Sequence, residues 1–231
     1  MIKTAIFTYL LALATLTGTS TVSYKAEIES LKSQSVKSAV VFVGDSRTVG
    51  MKTAIYKCID KDNEFFIAEA GEGYTWLKNT GLDGIKNTIS SHSNINDWTI
   101  VTNLGVNDLE NASKYVDTYK KLMEKLTSKS GRSVKMYVIS VNPVDESKCK
   151  GIKNADIENA NYLFESSFEN CDSICYIDTN TYTKKIMSAP DGLHYTDSTY
   201  FSIYQYILKN ISNEKKTTEE IALATNANQK S

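Results

Sequence analysis

The sequence predicts an α/β fold, a three-layer α/β/α sandwich around a mostly parallel sheet of about five strands. Three observations lead to this prediction. Short runs rich in β-branched and aromatic residues recur along the chain, segments with helical spacing separate them, and turn-forming residues end several of the runs. Because parallel neighbours need a crossover connection, strands that alternate with helices indicate βαβ units.

The first two strands are expected near the start of the folded region. Residues 40–43 form a β-branched run typical of buried parallel strands, and Gly44 ends it. The stretch from there to Lys57 is compatible with a helix. Residues 65–68 are the second strand candidate, and a glycine-rich segment, residues 71–73, follows them.

The remaining elements continue the alternation. Strands are expected at residues 98–104, 134–141 and 174–177, and helices at residues 111–126, 156–168 and 197–211. The first of these helices carries apolar residues at three- and four-residue steps: Tyr115, Tyr119, Leu122, Met123 and Leu126. This spacing places them on one face of a helix, which would pack against the sheet.

The chain of 231 residues divides into four segments by composition. Residues 1–23 have the pattern of a secretory signal peptide, with Lys3 before an apolar segment, residues 5–16, and small residues after it. Residues 24–37 are polar and are predicted to be a linker. Residues 38–213 are predicted to form the folded domain, and residues 214–231 a frayed polar tail.

The predicted signal peptide places the mature protein outside the cytoplasm, secreted or at the cell surface. Its apolar segment is shorter than the roughly 20 residues that cross a bilayer, so cleavage is favoured over an uncleaved anchor and no stable membrane span is expected afterwards. Lys and Arg total 26 against 27 Asp and Glu, a net charge of −1. This balance gives no polybasic signal for nucleic acid or an anionic membrane surface.

Four cysteines in an exported chain allow two disulfides with three connectivities. Cys149 and Cys171 flank one predicted helix and are the expected pair, whereas Cys175 lies in an apolar run and is expected as a buried free thiol. Cys58 completes the set. No Cys-x-x-Cys pair is present, so a cysteine metal site is not expected.

Three short polar segments stand where an open α/β sheet places its active site, outside the carboxyl ends of strands. Gly-Asp-Ser at residues 44–46 follows the first strand, and Gly-Val-Asn-Asp at residues 105–108 follows the third. Asp-Gly-Leu-His at residues 191–194 precedes the last helix. Residues 71–75 follow the second strand, so all four segments are expected on one rim.

These segments hold the parts of a nucleophilic hydrolase. Ser46 at a strand–helix junction is a candidate nucleophile, although the same position suits an ordinary helix-capping serine. His194 is the candidate base, and Asp191, three residues earlier, would bind its Nδ1–H and orient the ring. The other histidine, His92, lies in a polar loop and is expected to be structural.

Two further residues are candidates for an oxyanion hole. Asn107 offers a side-chain N–H, and Gly73 a backbone N–H, to the oxygen of a tetrahedral intermediate. The segment containing Asn107 would also suit a plain turn, and Gly71 competes with Gly73 for the second role.

Substrate contacts are expected from neighbours of these residues. Arg47 is a candidate partner for an anionic substrate group, with a structural or surface salt bridge as the alternative. Tyr74 and Trp76 are candidates for an acyl- or sugar-binding wall, or simply pack at the rim. A zinc deacetylase is disfavoured because the chain has no His cluster, and no metal or other cofactor is expected.

Together these motifs resemble the SGNH, or GDSL-type, esterase and lipase family, and the resemblance covers most of the chain. Residues 44–46 are similar to the first block of that family, residues 73–75 to the second, residues 105–108 to the third and residues 191–194 to the last. The Gly-x-Ser-x-Gly elbow of α/β-hydrolases is absent around Ser46. The resemblance implies a flavodoxin-like SGNH fold, with Ser46, Gly73 and Asn107 forming the oxyanion hole.

The resemblance also implies an activity. We expect an exported serine esterase that removes short acyl groups, acetyl above all, from carbohydrate or a cell-envelope polymer through an acyl-enzyme. A cell-wall O-acyltransferase with the same triad is the first alternative, and a catalytically quiet surface-binding module is the second. Because one fold serves many functions, the fold does not specify the substrate, and this substrate expectation rests on the range of substrates within the family alone.

Overall fold

The computed structural model describes residues 38–57, 63–129 and 131–228, which include almost all of the predicted hydrolase domain. The predicted signal peptide, the predicted linker and Cys58 lie outside the described residues. Among the described helices, none has both the length and the apolar character needed to cross a membrane.

A five-stranded parallel sheet forms the centre of the domain, which confirms the predicted fold class. Its strands are β1 (Ser38–Gly44), β2 (Glu64–Ala68), β3 (Asp97–Asn103), β4 (Ser133–Ile139) and β5 (Ile174–Ile177). They are arranged in the order β2-β1-β3-β4-β5, and every neighbouring pair is parallel. In this order the connections reverse direction between β1 and β3, the point where doubly wound sheets bind their ligands.

Helices connect the strands, as the alternating pattern predicted. They are α1 (Ser46–Tyr56), α2 (Tyr74–Trp76), α3 (Leu82–Ser91), α4 (Ala112–Lys129), α5 (Asn154–Phe168), α6 (Thr179–Lys184) and α7 (Asp197–Asn228). A π-helical turn, Leu77–Gly81, joins α2 to α3, and a 3₁₀ turn, Leu109–Asn111, precedes α4. The sequence analysis did not predict α6 or the elements between residues 74 and 91. The helices α2 and α6 are short, and α3 buries only two apolar side chains, Ile85 and Ile89, so its apolar pattern is weak.

Alternating side chains along the strands supply two separate apolar layers. On one face Val41, Ile100 and Met136 pack with residues of α3, α4 and α5. On the other face Phe42 and Val101 pack with residues of α1 and α7. The fold is therefore a three-layer sandwich. Helices cover both faces of the sheet, and the loops at the carboxyl ends of the strands carry the candidate site.

The last helix is longer than predicted. α7 continues to Asn228, so residues 214–228, predicted as a frayed tail outside the domain boundary at residue 213, are helical. The first of these residues contact the sheet: Glu214 accepts a hydrogen bond from Lys135, and Lys215 pairs with Asp97 at 2.7 Å. The sequence here is rich in helix-forming residues, and these ion pairs attach its first turn to β3 and β4.

The expected disulfide between Cys149 and Cys171 does not form, because both residues carry free thiols. Each side chain packs against the apolar layer formed with α3, α4 and α5, and so acts as a small apolar group. Cys175 is also free, as expected, but it is only partly buried and donates a hydrogen bond to Glu214 Oε1 at 3.2 Å.

Candidate active site

The three predicted catalytic side chains form a hydrogen-bonded series with His194 in the middle. Ser46 is the first residue of α1, and its Oγ lies 2.8 Å from Nε2 of His194. Nδ1 of His194 lies 2.7 Å from Oδ2 of Asp191. Because an ionised carboxylate can only accept, Nδ1 donates to Asp191 and Nε2 accepts from the Ser46 hydroxyl. This is the arrangement in which a serine can lose its proton to a histidine.

The loop that carries Asp191 holds its carboxylate firmly. The Oδ1 atom accepts backbone N–H groups of Leu193, at 2.9 Å, and of His194, at 2.7 Å. The hydrogen bond from the His194 side chain, reinforced by that backbone N–H, holds the pKa of Asp191 well below its usual range. Asp191 therefore stays ionised across neutral and mildly acidic pH, and it can orient the imidazole throughout.

Gly192 makes the same loop possible. Its φ of +84° lies in the left-handed region, and a Cβ there would lie 2.6 Å from the backbone nitrogen of Cys149. The Gly192 carbonyl accepts the Asp145 N–H at 2.8 Å, so two backbone segments pack directly against each other. Only glycine satisfies both the conformation and the close contact.

Asp45, and not Ser46, caps the first helix. Its side chain accepts the Arg47 N–H at 2.9 Å, which leaves the Ser46 hydroxyl available to His194. Asp45 is fully buried, and burial raises its pKa to about 6 against the opposing charge of Arg47. Ser46 is therefore not the capping residue of α1. The capping role of Asp45 was not predicted from the sequence.

Arg47 lies inside the protein, which disagrees with the predicted contact to substrate. Only 1% of the residue is exposed. Its guanidinium donates to three backbone carbonyls, those of Leu193, Asn142 and Pro143, and lies 5.0 Å from the ring centroid of Tyr195. These contacts join the helix that begins at Ser46 to the loop that carries His194.

The predicted oxyanion residues meet across two loops. Asn107 is exposed, and its Nδ2 donates to the Glu72 carbonyl at 2.8 Å. The next residue, Asp108, accepts the Tyr74 N–H at 2.7 Å on Oδ2, and its other oxygen accepts the Tyr115 hydroxyl at 2.8 Å. The loop after β3 is thereby tied to the loop after β2.

The structure separates the two competing glycines. A Cβ on Gly73 would lie 2.6 Å from Oδ2 of Asp108, so this backbone packs closely on the segment that contains Asn107. A Cβ on Gly71 would meet no atom within 4 Å. Gly73 therefore packs against the third motif, and its role as the backbone donor of this loop stays a prediction.

The two aromatic candidates are at least partly buried, and both are hydrogen-bonded to other side chains. Trp76 is buried and donates from Nε1 to Glu69 at 3.0 Å. Tyr74 is partly buried, and its hydroxyl lies 3.3 Å from that of Thr118 on α4. These placements favour the alternative that both side chains pack at the rim.

His92 directly follows α3. Its Nδ1 lies 2.8 Å from the Thr88 carbonyl, and its ring packs on Phe65 with centroids 4.5 Å apart. Because α3 leads back to the start of β3, His92 precedes the amino-terminal end of β3, whereas Ser46 follows the carboxyl end of β1. The structural role expected for His92 agrees with these contacts.

A cleft of about 520 Å³ opens beside Asn107. It lies between the segment after β3 and helix α5, and it combines apolar with polar side chains, among them Leu163, Ile152, Ser113 and Asn159. None of these was predicted, because they come from separate loops and helices without a local motif. In the described ranges no three His, Cys, Asp or Glu residues come together in a way that could hold a metal ion.

Neither a protein-family model nor a curated protein matches the chain by sequence. Several solved structures match it by fold. A lipase/acylhydrolase from Enterococcus faecalis is 13% identical with a TM-score of 0.54, over 77% of this chain and 96% of its own. A member of the lipolytic protein G-D-S-L family from Veillonella parvula is 16% identical with a TM-score of 0.52, over 74% and 97%.

The acetylxylan esterase Axe2 from Geobacillus stearothermophilus is similar to the same extent, at 13% identity and a TM-score of 0.50, over 76% of this chain and 95% of its own. The TM-scores show a common fold, and at identities this low the activity has to be argued from the site. The chain has the α/β fold of the GDSL-type, or SGNH, lipase and acylhydrolase structures, as its four motifs indicated.

Proposed function

We propose that this protein is a serine esterase that hydrolyses short acyl esters through an acyl-enzyme. The observation that carries the proposal is the continuous hydrogen-bonded series Ser46–His194–Asp191, with distances of 2.8 and 2.7 Å. Such a series gives a serine hydroxyl the base it needs, and it stands at the carboxyl end of β1. The SGNH-type fold supports the same activity.

In the first half of the reaction, Ser46 Oγ attacks the ester carbonyl carbon while Nε2 of His194 takes the hydroxyl proton. The carbonyl π electrons move to the oxygen, which becomes the oxyanion. Asp191 stays ionised and stabilises the imidazolium that forms. When the intermediate collapses, the bond to the alcohol oxygen breaks, the alcohol leaves with the proton from Nε2, and the acyl group remains on Ser46.

In the second half, water replaces the alcohol. Nε2 of His194 takes a proton from the water as the water oxygen attacks the acyl carbon. When the second tetrahedral intermediate collapses, the bond between the acyl carbon and Ser46 Oγ breaks, Oγ takes the proton back from Nε2, and the carboxylic acid leaves. The oxyanion of both intermediates would be bound by the backbone N–H of Ser46, the backbone N–H of Gly73 and Nδ2 of Asn107. The N-terminal end of α1 adds positive potential at Ser46.

The substrate we propose is a small acyl ester, acetyl above all, on carbohydrate or a cell-envelope polymer. His194 and Asp191 have 41% and 57% of their side chains exposed, so a polymer can reach the site without entering a tunnel. The cleft beside Asn107 mixes polar and apolar side chains, which suits a sugar better than a long hydrocarbon chain. The acetylxylan esterase of the same fold acts on a substrate of this kind.

Export completes the proposal. Residues 1–23 have the composition of a signal peptide, so we expect the mature protein to begin near residue 24 and to act outside the cytoplasm. Amino-terminal sequencing of the protein recovered from the medium or cell surface tests this. An intact Met1 on the exported or cell-associated protein would contradict it.

The decisive experiment measures hydrolysis of p-nitrophenyl esters from acetate to octanoate by the wild type and by Ser46→Ala. We expect the highest kcat/KM for acetate and loss of nearly all turnover in the variant. Ser90→Ala, a substitution of an exposed serine on α3, is the matched control and should retain full activity. Equal rates in the wild type and Ser46→Ala would exclude Ser46 as the nucleophile.

Two additions to this assay distinguish the esterase from the acyltransferase and from the catalytically quiet binding module. Faster release of p-nitrophenol when a sugar is added, with the acyl group recovered on that sugar, would indicate an acyltransferase. If an organophosphonate fails to modify Ser46 and no ester is cleaved, the quiet binding module is the better description.

A further inference from the structure

A groove lined by lysines runs between α4 and the helical segment that contains α2, the π-helical turn and α3. Its volume is about 350 Å³, and four of the residues that line it are Lys78, Lys86, Lys121 and Lys125. No Asp or Glu is among its lining residues. The whole chain has a net charge of −1, so this concentration of positive charge is local.

Most of this charge is not neutralised by the protein. Lys86 is paired with Asp83 at 2.9 Å. Within the described part of the chain, no ion pair forms to Lys78, Lys121 or Lys125, and all three are exposed.

The positions of these lysines keep their charges close together. Lys121 and Lys125 are four residues apart on α4 and therefore lie on one face of the helix, where like charges destabilise it. Lys78 lies in the π-helical turn Leu77–Gly81 on the opposite wall, and π-helical turns occur often at functional sites. An anion bound between the walls would offset the repulsion on both.

One end of the groove lies beside the candidate active site. Tyr74 lines the groove, directly follows Gly73, and donates its backbone N–H to Asp108 at 2.7 Å. Lys114 extends the positive surface here, because its Nζ lies 5.7 Å from the centroid of the Tyr74 ring. A chain molecule bound along the groove would thus pass next to the proposed oxyanion loop.

We propose that this groove binds a linear phosphate-bearing polyanion, and that this polymer carries the acyl ester presented to Ser46. Lysine suits such a ligand, since its ammonium is a point charge on a flexible stem and needs no fixed geometry in its partner. The binding part of the inference stands on the groove alone. The statement that the polymer is the substrate rests on the proposed esterase function.

Binding is tested on the full chain carrying Ser46→Ala, with fluorescently labelled linear inorganic polyphosphate as the probe. The groove variant replaces Lys78, Lys121 and Lys125 by Gln, and the control variant replaces the exposed Lys150, Lys185 and Lys209 by Gln. Each lowers the net charge from −1 to −4, because three positive charges are removed. We expect Kd to rise about tenfold or more for the groove variant and less than about twofold for the control.

Salt and membranes provide the further tests. A fourfold increase in salt should weaken polyphosphate binding roughly 20- to 40-fold, as for a ligand that makes about three charge contacts. Equal effects of the two triple variants would overturn the proposal. Binding of the protein to phosphatidylglycerol vesicles without binding to free polyphosphate would also overturn it.

Kinetics separate this inference from the esterase proposal. With acetylated poly(glycerol phosphate) as substrate, the groove variant on the wild-type background should raise KM about tenfold and leave kcat/KM for p-nitrophenyl acetate unchanged. An unchanged KM for the polymer would overturn its assignment as substrate. If neither ester is cleaved while polyphosphate binding depends on the groove, the esterase function fails and the binding site stands.

Discussion

Asp108 Oδ2 accepts the backbone N–H of Tyr74 at 2.7 Å, and this bond joins the loop after β3 to the start of α2. The same carboxylate accepts the Tyr115 hydroxyl and the Asn111 side chain, so it is held from three directions. Asp108 therefore fixes the distance between Asn107 and Gly73, the two proposed oxyanion donors that do not belong to α1. It is a positioning residue, since the proposed reaction makes no contact with it.

Replacement of Asp108 by Ala should reduce kcat more than it changes KM. Without the carboxylate, the two loops lose their common acceptor and the donors lose the geometry that matters most in the transition state. We expect kcat for p-nitrophenyl acetate to fall between about tenfold and 10³-fold. The buried Tyr115 hydroxyl would also lose its partner, at a cost of about 1–3 kcal/mol in the free energy of unfolding. A variant that is less stable but has wild-type kcat would show that Asp108 is only structural.

The two glycines of the second motif provide a matched pair of substitutions. Gly73→Ala should lower kcat on the order of 10²-fold, because its Cβ would collide with Asp108 and move the Gly73 N–H. Gly71→Ala meets open space but keeps a φ of +81°, so it should cost about 1–2 kcal/mol of stability and leave kcat within about twofold. Steady-state kinetics with thermal unfolding checks both, and a reversed order of the kcat losses would assign the donor to Gly71.

Asp191→Asn should keep the shape of the site and lose its chemistry. The amide can donate to Nδ1 of His194, which would place the imidazole proton on Nε2 and remove the acceptor for the Ser46 hydroxyl. We expect kcat to fall about 10⁴-fold with little change in KM. Asp172→Asn, at an exposed loop position, is the control. Retention of more than about a tenth of wild-type kcat would argue that Asp191 does not set the tautomer.

Asp45 predicts a pH dependence of stability. Its pKa is about 6 in the folded protein against 3.8 for an ordinary Asp, so the folded state binds the extra proton between these values. Its contribution to stability is present below pH 4 and is lost as the pH rises through 6. The variant Asp45→Asn is the reference, because its side-chain oxygen can still accept the Arg47 N–H and cap α1. Relative to this variant, the wild type should lose about 3 kcal/mol of unfolding free energy between pH 4 and 7. Urea denaturation at each pH measures this free energy. An equal change with pH in the wild type and in Asp45→Asn would refute the prediction.

Local sequence was sufficient to predict the sheet and to select the three side chains that form the hydrogen-bonded series at its rim. The strands are β-branched runs that end at turn-forming residues, and alternation with helices determines that they are parallel. Ser46, Asp191 and His194 were identifiable because chemical requirements restrict each role to few residue types, and the chain has only two histidines.

Other features depended on partners distant in sequence. The interior position of Arg47 requires the carbonyls of Asn142, Pro143 and Leu193, which no local pattern reveals. Residues 214–228 looked like a polar tail because their ion-pair partners, Asp97 and Lys135, belong to the sheet. Asp108 was visible beside Asn107 in the third motif, but its three donors became known only with the structure.

The buried guanidinium of Arg47 has a consequence for how this scaffold can be altered. Ser46 and His194 are 148 residues apart, yet the residue next to one holds the main chain next to the other. The spacing of nucleophile and base is therefore set from beneath the rim, by bonds to main-chain oxygens that every amino acid provides. The solvent-facing side chains around the site can consequently be varied without removing these bonds, whereas Arg47→Lys, which cannot reproduce the planar fork, should uncouple the loops that carry Ser46 and His194.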